Sequence, residues 1–445
     1  MRGNPSNFKA EELAPLEPED GVYLGSWWQD PDTPSRTNER VIENNVGDTD
    51  IGATIDTSAL DRIFSGIDDT NTDAILYLTL YPKDGMDAVS EDALDTLCKY
   101  VGYATHAGRR VFIRYASEMN GYWFGYSRQP KKFIEGWIRF AKAVRKVSKD
   151  GYLALIWAPN SPNGYPWPSS PLYLNDGKEI SYQDTFRMDP SLDSNGDGLW
   201  DYKDDPFTPY YPGDEWVDWL YHYGREYPWE TNDIPTQGWF EDVMIGREKT
   251  TFGRYNFYEM FSGNGSGGSP HSKSTGGKPF MVSETGAAVH LYVSKPGGNA
   301  VLPQRSDPES RMKIKQAWWR QFFNSTFLEL YPKFKSICFF EYIKYEETTW
   351  RDFTTLGQGT NIQSPFGNDG GAKDDLVLEA FKQDMSGPLG KKVVWANDAM
   401  INSLGHAAKF KHASNLTGAY EYSPAKTHKS VSLSLLIAAI LQLLV

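Results

Sequence analysis

Two glutamates, each placed just past a short apolar run, are the residues best placed to do chemistry in this sequence. Val111 to Tyr126 reads VFIRYASEMNGYWFGY; Val111, Phe112 and Ile113 lead into Arg114, Glu118, Asn120, Tyr122, Trp123 and Tyr126. Lys278 to Gly286 reads KPFMVSETG; Phe280 to Val282 lead into Glu284, Thr285 and Gly286. A short apolar run bounded by turn signals reads as a buried strand. A carboxyl group beyond such a strand, among aromatic rings, suits general acid work. Cleaving a glycosidic bond takes two carboxyl groups, one to protonate the leaving oxygen and one to attack or to activate water. In a parallel barrel such groups come from the C-terminal ends of different strands. The plainer reading of each segment alone is a buried strand followed by an aromatic or polar loop.

The elements that must position these residues alternate between strand and helix. Gly21 to Trp28 reads as a first strand ending in Trp27 and Trp28, and Ala74 to Tyr81 is a β-rich apolar run. A second strand is expected around Ile51 to Ile55, where the signal is poor. Ser90 caps a helix carrying Leu94, Leu97, Tyr100, Val101 and Ala104 at helical spacing, and Gly108 ends it. Lys132 to Ser148 is a second helix with one apolar stripe, Phe133, Ile134, Trp137, Ala141, Val144 and Val147. Tyr152 to Asn160 is the next strand, a short one follows at Asp218 to Tyr221, a helix starts at Pro308, and Lys335 to Lys344 is the last strand. Such alternation predicts an α/β fold with a parallel sheet.

The sequence has 445 residues, within the range of one barrel with long βα-loop insertions. Net charge is −13 without a basic block, which argues against nucleic acid as a partner. Aromatic residues make up 14% of the chain, enough to supply flat stacking surfaces for pyranose rings as well as a large core. Cys98 and Cys338 read as two free buried thiols. No H-E-x-x-H spacing and no G-x-S-x-G elbow is present, which disfavours metal-dependent and serine hydrolysis.

Four segments are expected: a polar one at 1–20, a catalytic domain at 21–405, a polar linker at 406–430 and an apolar tail at 431–445. The tail is short for a membrane span and follows small residues, the pattern of a glycosylphosphatidylinositol attachment signal. A protein at the cell surface or outside the cell is expected, monomeric, with the membrane reached only through such an anchor.

Asp193 to Asp204, DSNGDGLWDYKD, follows the calcium-loop pattern. Oxygen ligands fall at Asp193, Asn195, Asp197, Asp201 and Asp204, with the Leu199 carbonyl between them and Gly198 at the sharp turn. A structural Ca2+ that stiffens an insertion is expected.

RYASEMNGYW resembles the acid/base segment of glycoside hydrolase family 26, and PFMVSETG resembles its nucleophile segment. The resemblance runs patchily from about Val22 to about Asp352. It implies a retaining (β/α)8 TIM barrel with Glu118 as acid/base and Glu284 as nucleophile. It implies a β-linked cell-wall polysaccharide as substrate, endo-β-1,4-mannan first, with β-1,3- or β-1,4-glucan and β-1,3-xylan as alternatives. Arg114, Asn120, Trp123, Trp157, Asn160, Tyr221 and Phe340 are the expected substrate-binding or supporting residues. Mannanases of the family commonly carry His before the acid/base; Ser117 stands here. A carbohydrate-binding protein on a degenerate barrel is the alternative from another class.

Overall fold

The computed structural model describes residues 16, 22–27, 46–162, 189–198, 200, 201, 203–221, 232–247, 255–263, 277–293, 308–340, 343–346, 349–355, 375–394, 396, 397, 399 and 401. The linker and the apolar tail lie outside the described residues, as does nearly all of the N-terminal segment.

Among the described residues nine strands make one parallel sheet. Its order is β12 (Val393–Val394), β1 (Val22–Trp27), β9 (Phe334–Phe340), β7 (Phe280–Thr285), β6 (Trp219–Tyr221), β5 (Leu153–Trp157), β4 (Val111–Tyr115), β3 (Leu76–Tyr81) and β2 (Val46–Asp50). The sheet is curled on itself. Tyr23 on β1 meets Phe112 on β4 and Trp219 on β6 at ring-centroid distances of 6.4 and 6.5 Å, and Phe112 meets Trp219 at 4.8 Å. Strands so far apart in the ladder touch only across an enclosed interior. Tyr77, Ala154, Ile156, Met281 and Cys338 complete this inner cluster. The architecture is the expected α/β one: a parallel sheet in barrel order with helices outside.

Three helices show how the local sequence sets the layers. α1 (Thr57–Asp69) starts at Asp56, whose Oδ1 accepts the Ser58 and Ala59 amides, and buries Leu60, Ile63, Phe64 and Ile67. α2 (Glu91–His106) is capped by Ser90, and α3 (Pro130–Val147) buries Phe133, Trp137, Phe140, Ala141 and Val144 against the outside of the sheet. Later come α4 (Trp239–Met244), α5 (Pro308–Phe322), α6 (Ser325–Leu330) and α7 (Asp375–Met385). Cys98 and Cys338 are buried and unpaired, as expected.

The second strand is corrected. It lies at Val46–Asp50, and Ile51 and Ile55 form only an isolated antiparallel bridge behind it. The residues of β2 that share a level with the inner face of β3 are Val46, Asp48 and Asp50, so the strand has no apolar run to betray it. Nor is the last expected strand continuous: β9 stops at Phe340, and β10 (Ile343–Glu346), β11 (Thr349–Asp352) and β8 (Val289–Val293) build a separate antiparallel sheet. Among the described residues no ladder joins β1 to β2. Instead β12 pairs with β1 through Val22↔Val393, and the chain beyond it reaches the foot of β3. There the Asn397 amide donates to Asp73 Oδ1 at 2.6 Å, and the Ala399 amide donates to the Asn71 carbonyl at 2.9 Å.

The small sheet is bolted to the barrel by a buried lysine. Lys315 Nζ on α5 donates to the Ala287 and Asp352 carbonyls, both at 2.6 Å, and lies 3.8 Å from Asp352 Oδ1. Burial pushes the Asp352 carboxyl up, but Arg311 and Lys315 outweigh it and hold the group well below the usual carboxylate range. The stability it contributes is therefore present above about pH 4 and is lost as pH falls towards the folded value. Lys315→Met, which strands these acceptors, is expected to destabilise the protein by about 3 kcal/mol in urea denaturation at pH 7.

Candidate active site

Arg114 stands at the centre of the barrel mouth. It points inward from β4 one level above Phe112, with 1% of its side chain exposed. Its Nε donates to Thr79 Oγ1 at 3.0 Å, its Nη1 to Glu284 Oε2 at 3.0 Å, and its Nη2 to the Tyr81 hydroxyl at 3.4 Å. Its guanidinium also lies over the Tyr77 ring, 5.7 Å from the centroid.

Glu284 reaches Arg114 because β7 carries one extra residue. Val282 pairs with Ile337 and Thr285 with Phe339, so three steps along β7 oppose two along β9. A bulge of this kind re-aims side chains beside it. Behind it the Trp318 indole N–H donates to Thr285 Oγ1 at 2.9 Å, fixing the end of the strand.

Glu118 sits in the loop after β4, and that loop is heavily restrained. Ala116 and Glu118 both take left-handed backbone, with φ of 49° and 58°. Such non-glycine residues cost about 1–2 kcal/mol each and persist only where surrounding structure holds them. Here the Ala116 amide donates to the Leu80 carbonyl, the Glu118 amide to the Ala158 carbonyl, and the Tyr126 hydroxyl to the Ser117 carbonyl. The Asn120 side chain clamps Asn160, accepting its amide at 2.8 Å and donating to its carbonyl at 2.9 Å. The Trp123 indole N–H then donates to Glu118 Oε2 at 2.7 Å. Gly121 makes room for that indole: a Cβ there would lie 2.5 Å from Trp123 Cη2.

Glu118, Glu284, Arg114 and Trp123 are thus brought to one mouth. Asn120 is fully buried and acts on the backbone of Asn160. Trp157 faces outward from β5, where its indole donates to the Tyr210 carbonyl and its ring packs on Tyr211, Phe257 and Phe261. Phe340 ends β9 and meets Phe353 edge-on at 5.2 Å. Tyr221 ends β6, which spans only three residues, and its side chain lies outside the described residues.

Tyr81, Thr79 and Asp48 were missed. The first two alternate with Leu78 and Leu80 in AILYLTLY, a period-two pattern that puts Tyr77, Thr79 and Tyr81 on one face. Tyr81 is a strongly neutral phenol: burial raises its pKa, Arg114 lowers it, and Asp48, Glu284 and Glu118 raise it further. Its hydroxyl therefore lies within the field of all three carboxylates. On β2, burial pushes the Asp48 carboxyl up to about 6, opposed by Arg114 and Lys83 and reinforced by Asp50 and Glu284.

The acidic loop is folded on itself. Asp193 accepts the amides of Gly196, Asp197 and Gly198; Asp204 accepts those of Ser194, Asn195 and Asp201. Lys203 Nζ lies 3.3 Å from Asp201 and 3.7 Å from Asp197. Among the described residues, which leave out Leu199, no three His, Cys, Asp or Glu side chains converge as a metal cage. Trp200 anchors the loop, buried beneath the Arg128 guanidinium, which also covers Tyr122.

No family model and no curated protein matches the chain. Solved structures do. The catalytic domain of a GH26 endo-β-1,4-mannanase from Bacillus sp. JAMB-750 is 13% identical over 74% of this chain and 70% of that one, with a TM-score of 0.36. A Cellulomonas fimi endo-β-1,4-mannanase double mutant is 12% identical over 76% of this chain, with a TM-score of 0.36, and the match spans only 58% of that longer chain. GH26C from a Muricauda species is 11% identical over 84% of this chain and 87% of that one, with a TM-score of 0.39. Superpositions this loose leave the function to be read from the chemistry of the mouth itself.

Because the folded pKa of Asp48 is raised, its stabilising effect is present below the ordinary carboxylate pKa and is lost as pH rises through about 6. Asp48→Asn is expected to stabilise the fold at pH 7 by about 1–3 kcal/mol and to flatten the pH dependence between about 4 and 6. Urea denaturation across that range checks both.

Proposed function

We propose that the protein is a retaining glycoside hydrolase acting on a β-linked cell-wall polysaccharide, with β-1,4-mannan first. The observation that carries this is the pairing at one barrel mouth of Glu284, ion-paired to a buried arginine, with Glu118, held by an indole N–H on a restrained loop. In this reading Glu284 attacks the anomeric carbon and Glu118 gives its proton to the leaving oxygen. Glu118 then takes a proton from the water that releases the sugar from Glu284. Arg114 holds the nucleophile, and the Tyr81 hydroxyl accepts from the same guanidinium. Tyr122, Trp123 and Phe124 are half-buried and supply ring faces at the mouth.

Reducing-sugar release from mannan, mixed-linkage glucan and β-1,3-xylan tests the reaction and names the polymer. Glu284→Ala is expected to abolish turnover, and Glu118→Ala to lower it about 100–10,000-fold on polymer. Bound polysaccharide without release by the wild type would replace the hydrolase with a binding protein.

Calcium in the Asp193–Asp204 loop is a second proposal, resting on ligand spacing. It requires the carboxylates to turn from their amides and Lys203 to move aside. Calcium is expected to raise Tm by several degrees over EDTA, with saturable heat in calorimetry; an unchanged Tm and no heat would leave Lys203 as the loop's cation. Export and a lipid anchor are proposed on the same footing, from the apolar tail alone.

A further inference from the structure

Asp48 is the element of this mouth that the two-carboxylate mechanism leaves unused. Parallel register places it beside Thr79 on β3, and Thr79 beside Arg114 on β4. The three share one inner level of the barrel, the level from which Arg114 reaches Glu284 across the mouth. A carboxylate is a poor choice there for stability alone. The lysine that acts on it, Lys83, is already paired with Asp50 at the rim, and an asparagine or threonine of similar size would fill the same place without charge. Stability given up at a position facing a reaction centre is the usual mark of a functional group.

We propose that Asp48 is a positioning residue for the attack by Glu284: it competes for Arg114, so that its charge sets how firmly the guanidinium holds the nucleophile. The proposal rests on the hydrolase reading above. With Asp48 ionised, a second negative charge acts on Arg114 from two strands away at the same level, and Glu284 keeps more of its own negative charge for the anomeric carbon. With Asp48 protonated, Arg114 belongs to Glu284 alone, and attack is slowed.

The groups that face Asp48 are Arg114 from β4, Lys83 from the end of β3, Asp50 from β2 and Glu284 from β7, with the Tyr81 phenol beside them. Together with burial they leave it titrating near 6, inside the working range of a hydrolase. A group outside the reacting pair would then set the acid limb of the nucleophilic step.

The test uses 2,4-dinitrophenyl β-glycosides of mannose, glucose, xylose and their disaccharides. This leaving group departs without a proton, so the rate reads attack by Glu284 and not proton donation by Glu118. For the wild type, kcat/KM is expected to fall about three- to four-fold from pH 7 to pH 5, towards the lower rate of the protonated form, as one group titrates near 6. Asp48→Asn is expected to be several-fold slower at pH 7 and nearly flat over that interval. Asp48→Glu is expected to restore the limb, and Lys83→Met, which removes a cation acting on Asp48, to move it to higher pH. An active wild type whose acid limb and plateau survive unchanged in Asp48→Asn would overturn this proposal and leave the hydrolase reading standing. A wild type inert on every glycoside would overturn both.

Discussion

A buried guanidinium has five N–H donors and no tolerance for leaving them bare. Arg114 meets that requirement at the top of a barrel whose lower interior is filled with Tyr23, Phe112 and Trp219. Water is kept from it below, so its partners come from inward-facing residues of the sheet: Thr79 and Tyr81 from β3 beside it, and Glu284 from β7 across the mouth. The bulge in β7 and the alternation in β3 are both ways of bringing oxygen to one cation. The geometry of the mouth follows from satisfying that cation.

Much of this was legible in the sequence, and the limits were physical ones. Glu118 and Glu284 stood out because each follows an apolar run, and the outer helices because their apolar residues recur every three or four positions. β2 was hidden because its inner face carries the carboxylates of Asp48 and Asp50, so burial left no hydrophobic trace. The sequence reveals the strand that ends at Trp157 but not its pleat, and so offers this tryptophan as a ligand-facing residue. Ala154 and Ile156 point inward, which turns Trp157 out to the helices. The sequence offers Asn120 as a support for Glu118 or a substrate contact; its amide is spent on the backbone of Asn160, a contact across 40 residues that no local pattern signals. Nor does composition announce a bulge; only the ladder on both sides of Glu284 reveals it.

The two carboxylate-bearing segments are built by opposite means. Glu284 is placed by sheet geometry, with one extra residue and an indole behind it. Glu118 is placed by a loop forced through left-handed backbone and pinned to the ends of β3 and β5. A strand-borne group is rigid by default. A loop-borne group becomes rigid only through contacts such as the Asn120–Asn160 clamp and the Tyr126 hydroxyl, so a defect in those contacts loosens one partner and leaves the other in place.

The seam between β1 and the foot of β3 has a consequence in the order of synthesis. The strand that flanks β1 there is β12, and the amide that meets Asp73 comes from Asn397, 324 residues further along the chain. A ribosome therefore releases every other strand of the barrel before the piece that covers this edge. Until then β1 carries unpaired backbone groups on one side, the state in which nascent chains pair wrongly with one another. Contacts at such separation also slow folding, because the loop they close must be paid for before they form. The barrel matures only after β12 has been made, and a cell making this protein has to shelter an open sheet until then.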